Sequence, residues 1–152
     1  MCGILQRNLF KMRNEHEHRL QTVLAKYLDL NNYQFFAVAN GGWRNKVVAA
    51  KLKAEGVKAG VADLFILLPN STFHGLFVEV KIKGNSQQPN QKTFEQKARD
   101  CGYEYIIVRS LDELIEKLKY YESQKFIEQD KLMKAYRDGY TDGKLESQMI
   151  IR

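Results

Sequence analysis

The chain of 152 residues is long enough for one domain with its own hydrophobic core, but too short for two. Its 44% hydrophobic and 28% charged residues are typical of an ordinary globular protein. No apolar run approaches the roughly 20 residues that cross a bilayer, and the N-terminus lacks the apolar core of a secretory signal peptide. We therefore expect a cytoplasmic protein, located in the host cytoplasm if the chain is viral.

The net charge of +6 is unevenly distributed along the sequence. Residues 40–60 and residues 81–99 each carry five basic side chains and one acidic side chain, whereas residues 122–152 carry six of each sign. Two basic segments that meet in space indicate a phosphate-bearing partner. On charge alone, a solvated lysine surface explains the pattern equally well.

Two helices and a strand are predicted in the first third of the chain. The first helix covers Asn14 to Leu30, and Glu17 lies on the same side as its apolar stripe. The stripe consists of Leu20, Leu24, Tyr27 and Leu28. A strand over 33–39 is broken by Asn40-Gly41-Gly42, and a second helix over 43–55 is closed by Gly56.

Two β-rich runs, 61–68 and 76–82, are separated by turn-forming residues and predict an antiparallel hairpin. The elements that follow are a helix from Pro89 to Gly102 with Gln91, Phe94, Ala98 and Cys101 inward, a strand over 103–109, and a helix capped by Ser110. At the end of its helix, Cys101 is expected to be a buried thiol. This order of elements predicts a mixed α/β sheet with helices packed on it.

The helical pattern weakens beyond Tyr121. The apolar residues Phe126, Ile127, Leu132, Met133 and Tyr136 predict one more amphipathic helix, which two Asp-Gly pairs then interrupt. We expect residues 1–121 to form the domain, and residues 122–152 to form a helical appendage that covers the domain or a partner.

Charged side chains interrupt the predicted hairpin at positions otherwise suited to burial. Glu79 and Lys81 share one face of the second strand, because side chains two residues apart point the same way, and Asp63 lies in the first strand. If the hairpin is centred near Ser71, paired residue numbers sum to about 142, which places Asp63 opposite Glu79. Facing carboxylates repel each other unless a cation lies between them, and such oxygen ligands suit Mg²⁺ or Mn²⁺.

A cation at this position would polarise a phosphodiester and lower the pKa of a bound water. Lys81 would position or deprotonate that water, or stabilise the developing negative charge. The alternative is that Glu79 and Lys81 form a surface ion pair on an edge strand. That alternative leaves Asp63 unexplained.

Several segments carry a resemblance to a known family. They are Asn40-Gly41-Gly42-Trp43-Arg44, the run from Gly56 to Leu64, the run from Gly75 to Lys81, and Gln91 with Gly102-Tyr103. In this order, the chain between Glu15 and Tyr121 resembles a VRR-NUC domain, which belongs to the PD-(D/E)xK nuclease superfamily. The resemblance implies an α/β, restriction-endonuclease-like fold with a mixed β-sheet flanked by helices. Ala62 departs from the motif, which usually has proline there, but proline shapes the backbone and is not a ligand.

The resemblance also implies roles for individual residues. The implied metal ligands are Asp63, Glu79 and the main-chain carbonyl of Val80. Lys81 would be the catalytic lysine. Glu17 matches the acidic residue of the family's N-terminal helix, and Gln91 matches a glutamine near the site. For Gln91, a hydrogen-bonding role at the end of its helix is an equally good interpretation.

Basic and polar residues beside the site are expected to contact DNA phosphates. They are Asn40, Arg44, Lys46, Lys58, Lys83 and Lys92.

We expect an endodeoxyribonuclease that depends on Mg²⁺ or Mn²⁺. Small members of the family resemble virus-type Holliday-junction resolvases, and a chain without room for further domains favours that type, with a four-way DNA junction as substrate. Symmetric cutting of a junction requires two active sites, which predicts a homodimer. Two alternatives remain open: a nicking, flap or restriction-type nuclease, and a catalytically weak nucleic-acid-binding module.

Overall fold

Four helices and four strands lie within the residues that the structure, a computed structural model, describes: 2–38, 46–124 and 134. In chain order they are α1 (Cys2–Leu30), β1 (Phe35–Ala37), α2 (Lys46–Ala54), β2 (Leu64–Ile66), β3 (Leu76–Val80), α3 (Pro89–Asp100), β4 (Glu104–Val108) and α4, whose described part covers 111–124. The types and the order of these elements are those predicted from the sequence.

The four strands form one sheet in the order β1-β2-β3-β4. β1 and β2 are antiparallel, β2 and β3 form the antiparallel hairpin, and β4 joins β3 in parallel. The parallel pairing follows from α3, which carries the chain back to the start of β3 before β4 begins. The sheet is therefore mixed, and β3 is an interior strand with a partner on both sides.

Each face of the sheet buries its own group of apolar side chains. Alternate residues of β2, β3 and β4, including Leu64 and Val78, pack against Leu24 of α1 and Leu114 of α4. The opposite face packs against α3 in a smaller cluster centred on Ala62, Ala98 and Tyr105, with Phe77, Phe94, Tyr103 and Ile107 around it. The predicted α/β class, a mixed sheet flanked by helices, is confirmed.

Several predicted boundaries were wrong, by about 12 residues at the start of α1 and by one to three residues at the strand ends. α1 begins at Cys2 rather than Asn14, since residues 4–13 are mostly good helix formers and continue a helix that the packed stripe stabilises. β2 begins at Leu64 and β3 ends at Val80, so Asp63 and Lys81 lie just outside the strands.

Cys101 was expected to be buried but is exposed. It follows the last residue of α3 with φ −90° and ψ 9°, so its side chain no longer follows the inward stripe of that helix. No helix of the described residues is long and apolar enough to cross a membrane.

Some sequence predictions fall outside the described residues. These are the Asn40-Gly41-Gly42 break with Trp43 and Arg44, and the apolar tail residues Phe126, Ile127, Leu132, Met133 and Tyr136. The division of the chain near residue 121 stays a prediction.

Two glycines with positive φ shape the chain between α2 and β2. Gly56 (φ +99°) ends α2 as predicted, and the Val57 N–H donates back to the Leu52 carbonyl at 2.9 Å. Gly60 (φ +89°) lies against α3, where a Cβ atom would meet the main chain of Asn90 at 2.7 Å. The close approach of Gly60 therefore sets the segment that leads to Asp63 against the first turn of α3.

Gly60→Ala should destabilise the protein by roughly 3 kcal/mol, because it adds a steric clash to the cost of a left-handed residue. Gly56→Ala is the matched control, since it has a similar φ but nothing within 4 Å of the added Cβ. We expect that control to cost about 1 kcal/mol. Urea unfolding of both variants measures the difference, and equal losses would show that Gly60 is not held against α3.

Candidate active site

The carboxylate of Glu79 lies in the protein interior. Glu79 is 0% exposed, and Lys81, one residue past the end of β3, is 8% exposed. The Lys81 Nζ lies 2.6 Å from Glu79 Oε1. A surface ion pair on an edge strand is therefore ruled out, because the pair is buried and β3 is an interior strand.

Three side chains from three different elements donate hydrogen bonds to Glu79. Lys81 and the Gln91 side-chain amide of α3 both reach Oε1, and the Tyr105 hydroxyl of β4 reaches Oε2 at 3.1 Å. A buried carboxylate loses its water shell, which costs several kcal/mol unless charge and hydrogen bonds replace it. β3, α3 and β4 together supply that replacement.

The orientation of the Gln91 amide follows from its two partners. Its oxygen accepts a hydrogen bond of 2.8 Å from the Gln88 N–H at the start of α3, so its NH₂ group faces Glu79. A carboxylate only accepts and a backbone N–H only donates, which leaves one consistent orientation. Both interpretations of Gln91 therefore hold, because it bonds the helix end and contacts the site.

Asp63 faces the same site from the neighbouring strand. The observed hairpin register pairs Leu64 with Val78, which is the predicted register, and one further step places Asp63 opposite Glu79. Asp63 Oδ2 accepts a hydrogen bond of 2.8 Å from the Val80 N–H. The Asp63 side chain thus takes a donor that would otherwise continue the strand ladder, which explains why the pairing of β2 ends at Leu64.

Burial and neighbouring negative charge make both carboxylates harder to ionise. Burial raises the pKa of Glu79, and the charge of Asp63 raises it further, although Lys81 and Tyr105 act in the opposite direction. Burial also raises the pKa of Asp63, which the Val80 hydrogen bond and Lys81 partly offset. Two facing carboxylates whose pKa values are both raised form a site that a cation would stabilise.

Glu17 approaches this site from α1. It is half-buried, whereas Glu15 is exposed, as the helical stripe predicts. Its Oε1 accepts a hydrogen bond of 2.9 Å from the Asn85 side chain, in the loop after β3. Burial is the main cause of the raised pKa of Asp63, and the charge of Glu17 adds to it.

The oxygen donors at this site suit a small divalent cation. Within the described residues, no group of three or more histidine, cysteine or acidic side chains could hold a metal ion. A cation at this site would therefore be held by Asp63, Glu79 and a main-chain carbonyl. Because the N–H of Val80 points toward Asp63, the carbonyl of Val80 points to the same edge of β3. One or two carboxylates with water completing the coordination is the arrangement that Mg²⁺ prefers.

The predicted phosphate contacts are only partly described. Lys58, Lys83 and Lys92 are exposed, and Lys83 and Lys92 follow Lys81 closely along the chain. Lys46 is the first residue of α2. Asn40 and Arg44 lie outside the described residues, as does the side chain of Lys46.

Sequence reasoning missed two residues that contact the site, Tyr105 and Asn85. Tyr105 lies in a continuous β-rich run, and its pairing with Phe77 depends on a parallel register that no local pattern reveals. One general rule could have indicated a role for Tyr105: a buried tyrosine hydroxyl usually has a hydrogen-bond partner. Asn85 follows Gly84 in a loop and resembles any turn residue.

Asp63→Asn should raise the free energy of unfolding of the protein in EDTA by about 1 kcal/mol near neutral pH. The amide oxygen still accepts from Val80, while the negative charge that repels Glu79 is removed. Since the folded-state pKa of Asp63 is raised, its ionisation costs stability as the pH rises through that pKa. The gain should therefore disappear below about pH 4, where the wild-type carboxyl is protonated in both states.

Urea unfolding of the wild type and the variant from acid to neutral pH measures this effect. Asp112→Asn is the control, since Asp112 is an exposed carboxylate at the start of α4. A variant less stable than the wild type at neutral pH would contradict the stated repulsion.

The chain is similar to proteins of one known family. The model of the VRR-NUC domain family matches residues 4–112. A solved structure named "VRR_NUC domain protein" is 28% identical, with 71% of this chain and 88% of the other covered and a TM-score of 0.53. A second, named "VRR_NUC domain", is 20% identical, with 70% and 97% covered and a TM-score of 0.49. No curated protein matches. The chain belongs to the VRR-NUC domain family of nucleases.

Proposed function

We propose that this protein is a divalent-cation-dependent DNA endonuclease whose active site is built from Asp63, Glu79 and Lys81. The observation that carries the proposal is the burial of Glu79, at 0% exposure, opposite Asp63. A buried ion pair is a poor source of stability, because apolar residues of similar volume often do as well or better by about 1–4 kcal/mol. A catalytic role explains the burial of Glu79 opposite Asp63, which a contribution to stability does not explain.

Asp63, Glu79 and the Val80 carbonyl would hold Mg²⁺ or Mn²⁺. A cation there supplies Lewis-acid chemistry, which polarises the scissile phosphate and lowers the pKa of an attacking water. Lys81 lies beside Glu79, where its ammonium group would orient the water or stabilise the negative charge that develops on the phosphate.

Gln91 and Glu17 have supporting roles in this proposal. The Gln91 amide is held by the first turn of α3 and holds Glu79 in turn, so it links the helix to the catalytic carboxylate. Glu17 lies at the rim of the site, where its hydrogen bond to Asn85 ties α1 to the loop after β3.

The proposed substrate is branched DNA, with a four-way junction favoured over flaps and plain duplex. Support comes from the resemblance of this chain to small junction-cutting members of the family. Lys58, Lys83 and Lys92 are exposed and available for phosphate contacts. Asn40, Arg44 and Lys46 belong to the same proposal from the sequence alone. Two linked cuts in a junction need two sites, so a homodimer belongs to the same proposal.

Purified protein should cleave a labelled four-way junction in Mg²⁺ or Mn²⁺, and EDTA should stop the reaction. Asp63→Asn, Glu79→Gln and Lys81→Met should each lower the cleavage rate roughly 100-fold or more. Glu116→Gln changes an exposed carboxylate on α4 and serves as the control. Because the three variants alter the metal and the water rather than most phosphate contacts, junction binding in a gel-shift assay should persist.

A flap, a duplex and single strands tested in parallel decide the substrate. Faster cutting of the flap or the duplex would favour a nicking, flap or restriction-type nuclease. Junction binding by the wild type without cleavage of any substrate would identify a nucleic-acid-binding module and contradict the proposed catalysis.

The full chain should sediment as a dimer at micromolar concentration without DNA. A chain ending at Glu122 tests whether the proposed appendage, residues 122–152, contributes to the dimer; loss of dimerisation on truncation is the expected result. A monomeric full chain would contradict a preassembled junction-cutting dimer.

A further inference from the structure

At the position of Tyr105, the hydroxyl group contributes little to the packing of the core. It is 2% exposed on β4, and its ring packs beside Phe77 and Phe94 on the α3 face of the sheet. The ring alone fills that space. The hydroxyl, however, donates a hydrogen bond of 3.1 Å to Glu79 Oε2. Its described partner is thus a carboxylate of the proposed metal site.

The two oxygens of Glu79 have different surroundings. Lys81 and Gln91 both contact Oε1, whereas Tyr105 contacts Oε2. The terminal torsion of a glutamate is broad, so the plane of its carboxylate is set by its hydrogen-bond partners. Hydrogen-bond donors to both oxygens fix that plane. Without Tyr105, the Glu79 carboxylate would be free to rotate about its contacts at Oε1.

The main chain of Tyr105 is held by α3. In the loop before that helix, the Gln87 amide donates a hydrogen bond of 2.8 Å to Glu95. Arg99 bonds both Glu95 and the Tyr105 carbonyl, at 3.1 and 2.7 Å. Arg99 therefore ties the main chain of Tyr105 in β4 to α3.

We propose that Tyr105 is a positioning residue that fixes the Glu79 carboxylate in the orientation required to bind the divalent cation. The inference rests on the proposed function. Outer partners of a metal-binding carboxylate commonly affect metal affinity tenfold to 100-fold, although they do not touch the metal. Tyr105 acts through Glu79, so its loss should alter metal binding before it alters the chemical step.

Tyr105→Phe removes the hydroxyl and keeps the ring. We expect its dissociation constant for Mn²⁺, measured by calorimetry on the protein without DNA, to rise roughly tenfold or more. The Mn²⁺ concentration for half-maximal junction cleavage should rise in parallel, while the rate at saturating Mn²⁺ should recover to about the wild-type value.

Tyr121→Phe is the matched control. Tyr121 is 4% exposed and lies on the opposite face of the sheet. Its hydroxyl donates a hydrogen bond of 2.8 Å to the Leu68 carbonyl. This control removes an equally buried hydroxyl bond that does not contact the site. It should lower the thermal unfolding temperature and leave the Mn²⁺ dissociation constant unchanged.

The outcomes separate this inference from the proposed function. If the wild type binds Mn²⁺ and Tyr105→Phe binds it equally well, Tyr105 has only a structural role and the inference is overturned while the nuclease proposal stands. A Tyr105→Phe cleavage defect that saturating Mn²⁺ does not restore would also overturn it. If the wild type binds no Mn²⁺, the metal site and the inference fail together.

Discussion

An ionisable carboxylate in the interior of a small domain needs donors in place before the chain can bury it. Glu79 has such donors from the strand that carries it, from α3 and from β4. Each of these contacts depends on a larger feature: the parallel pairing of β3 with β4, and the docking of α3 against the segment at Gly60. The site and the fold are therefore coupled, because the elements that make the core also neutralise Glu79.

The arrangement does not maximise stability. Burial raises the pKa of both Asp63 and Glu79, the charge of Asp63 raises that of Glu79 further, and Lys81 compensates for only part of this cost. Sites that work on charged substrates commonly retain such unfavourable pairs, since the ligand relieves them. Here a divalent cation would relieve the repulsion. Because the chain belongs to a nuclease family, such a cation would act in phosphodiester hydrolysis.

The sequence predicted the order of elements and the facing carboxylates because both depend on local rules. Strand alternation and the hairpin centre determine which residues face one another, and the observed register agrees. The contacts of Tyr105 and Asn85 depend on tertiary packing, which no local pattern encodes. The prediction that Cys101 is buried was wrong for a related reason. Cys101 lies one residue past the end of α3, where its side chain leaves the helical face. The strand ends were misplaced because the Asp63 side chain, not the main chain, completes the pairing at Val80.

The central claim is that Asp63, Glu79 and the Val80 carbonyl form one cation site. Crystals of the protein grown with Mn²⁺ test it most directly, through the anomalous scattering of the metal. The account predicts an anomalous peak within about 2.0–2.3 Å of an oxygen of each of the three residues. A well-ordered structure without a peak between the two carboxylates, or with Mn²⁺ bound only elsewhere, would contradict it.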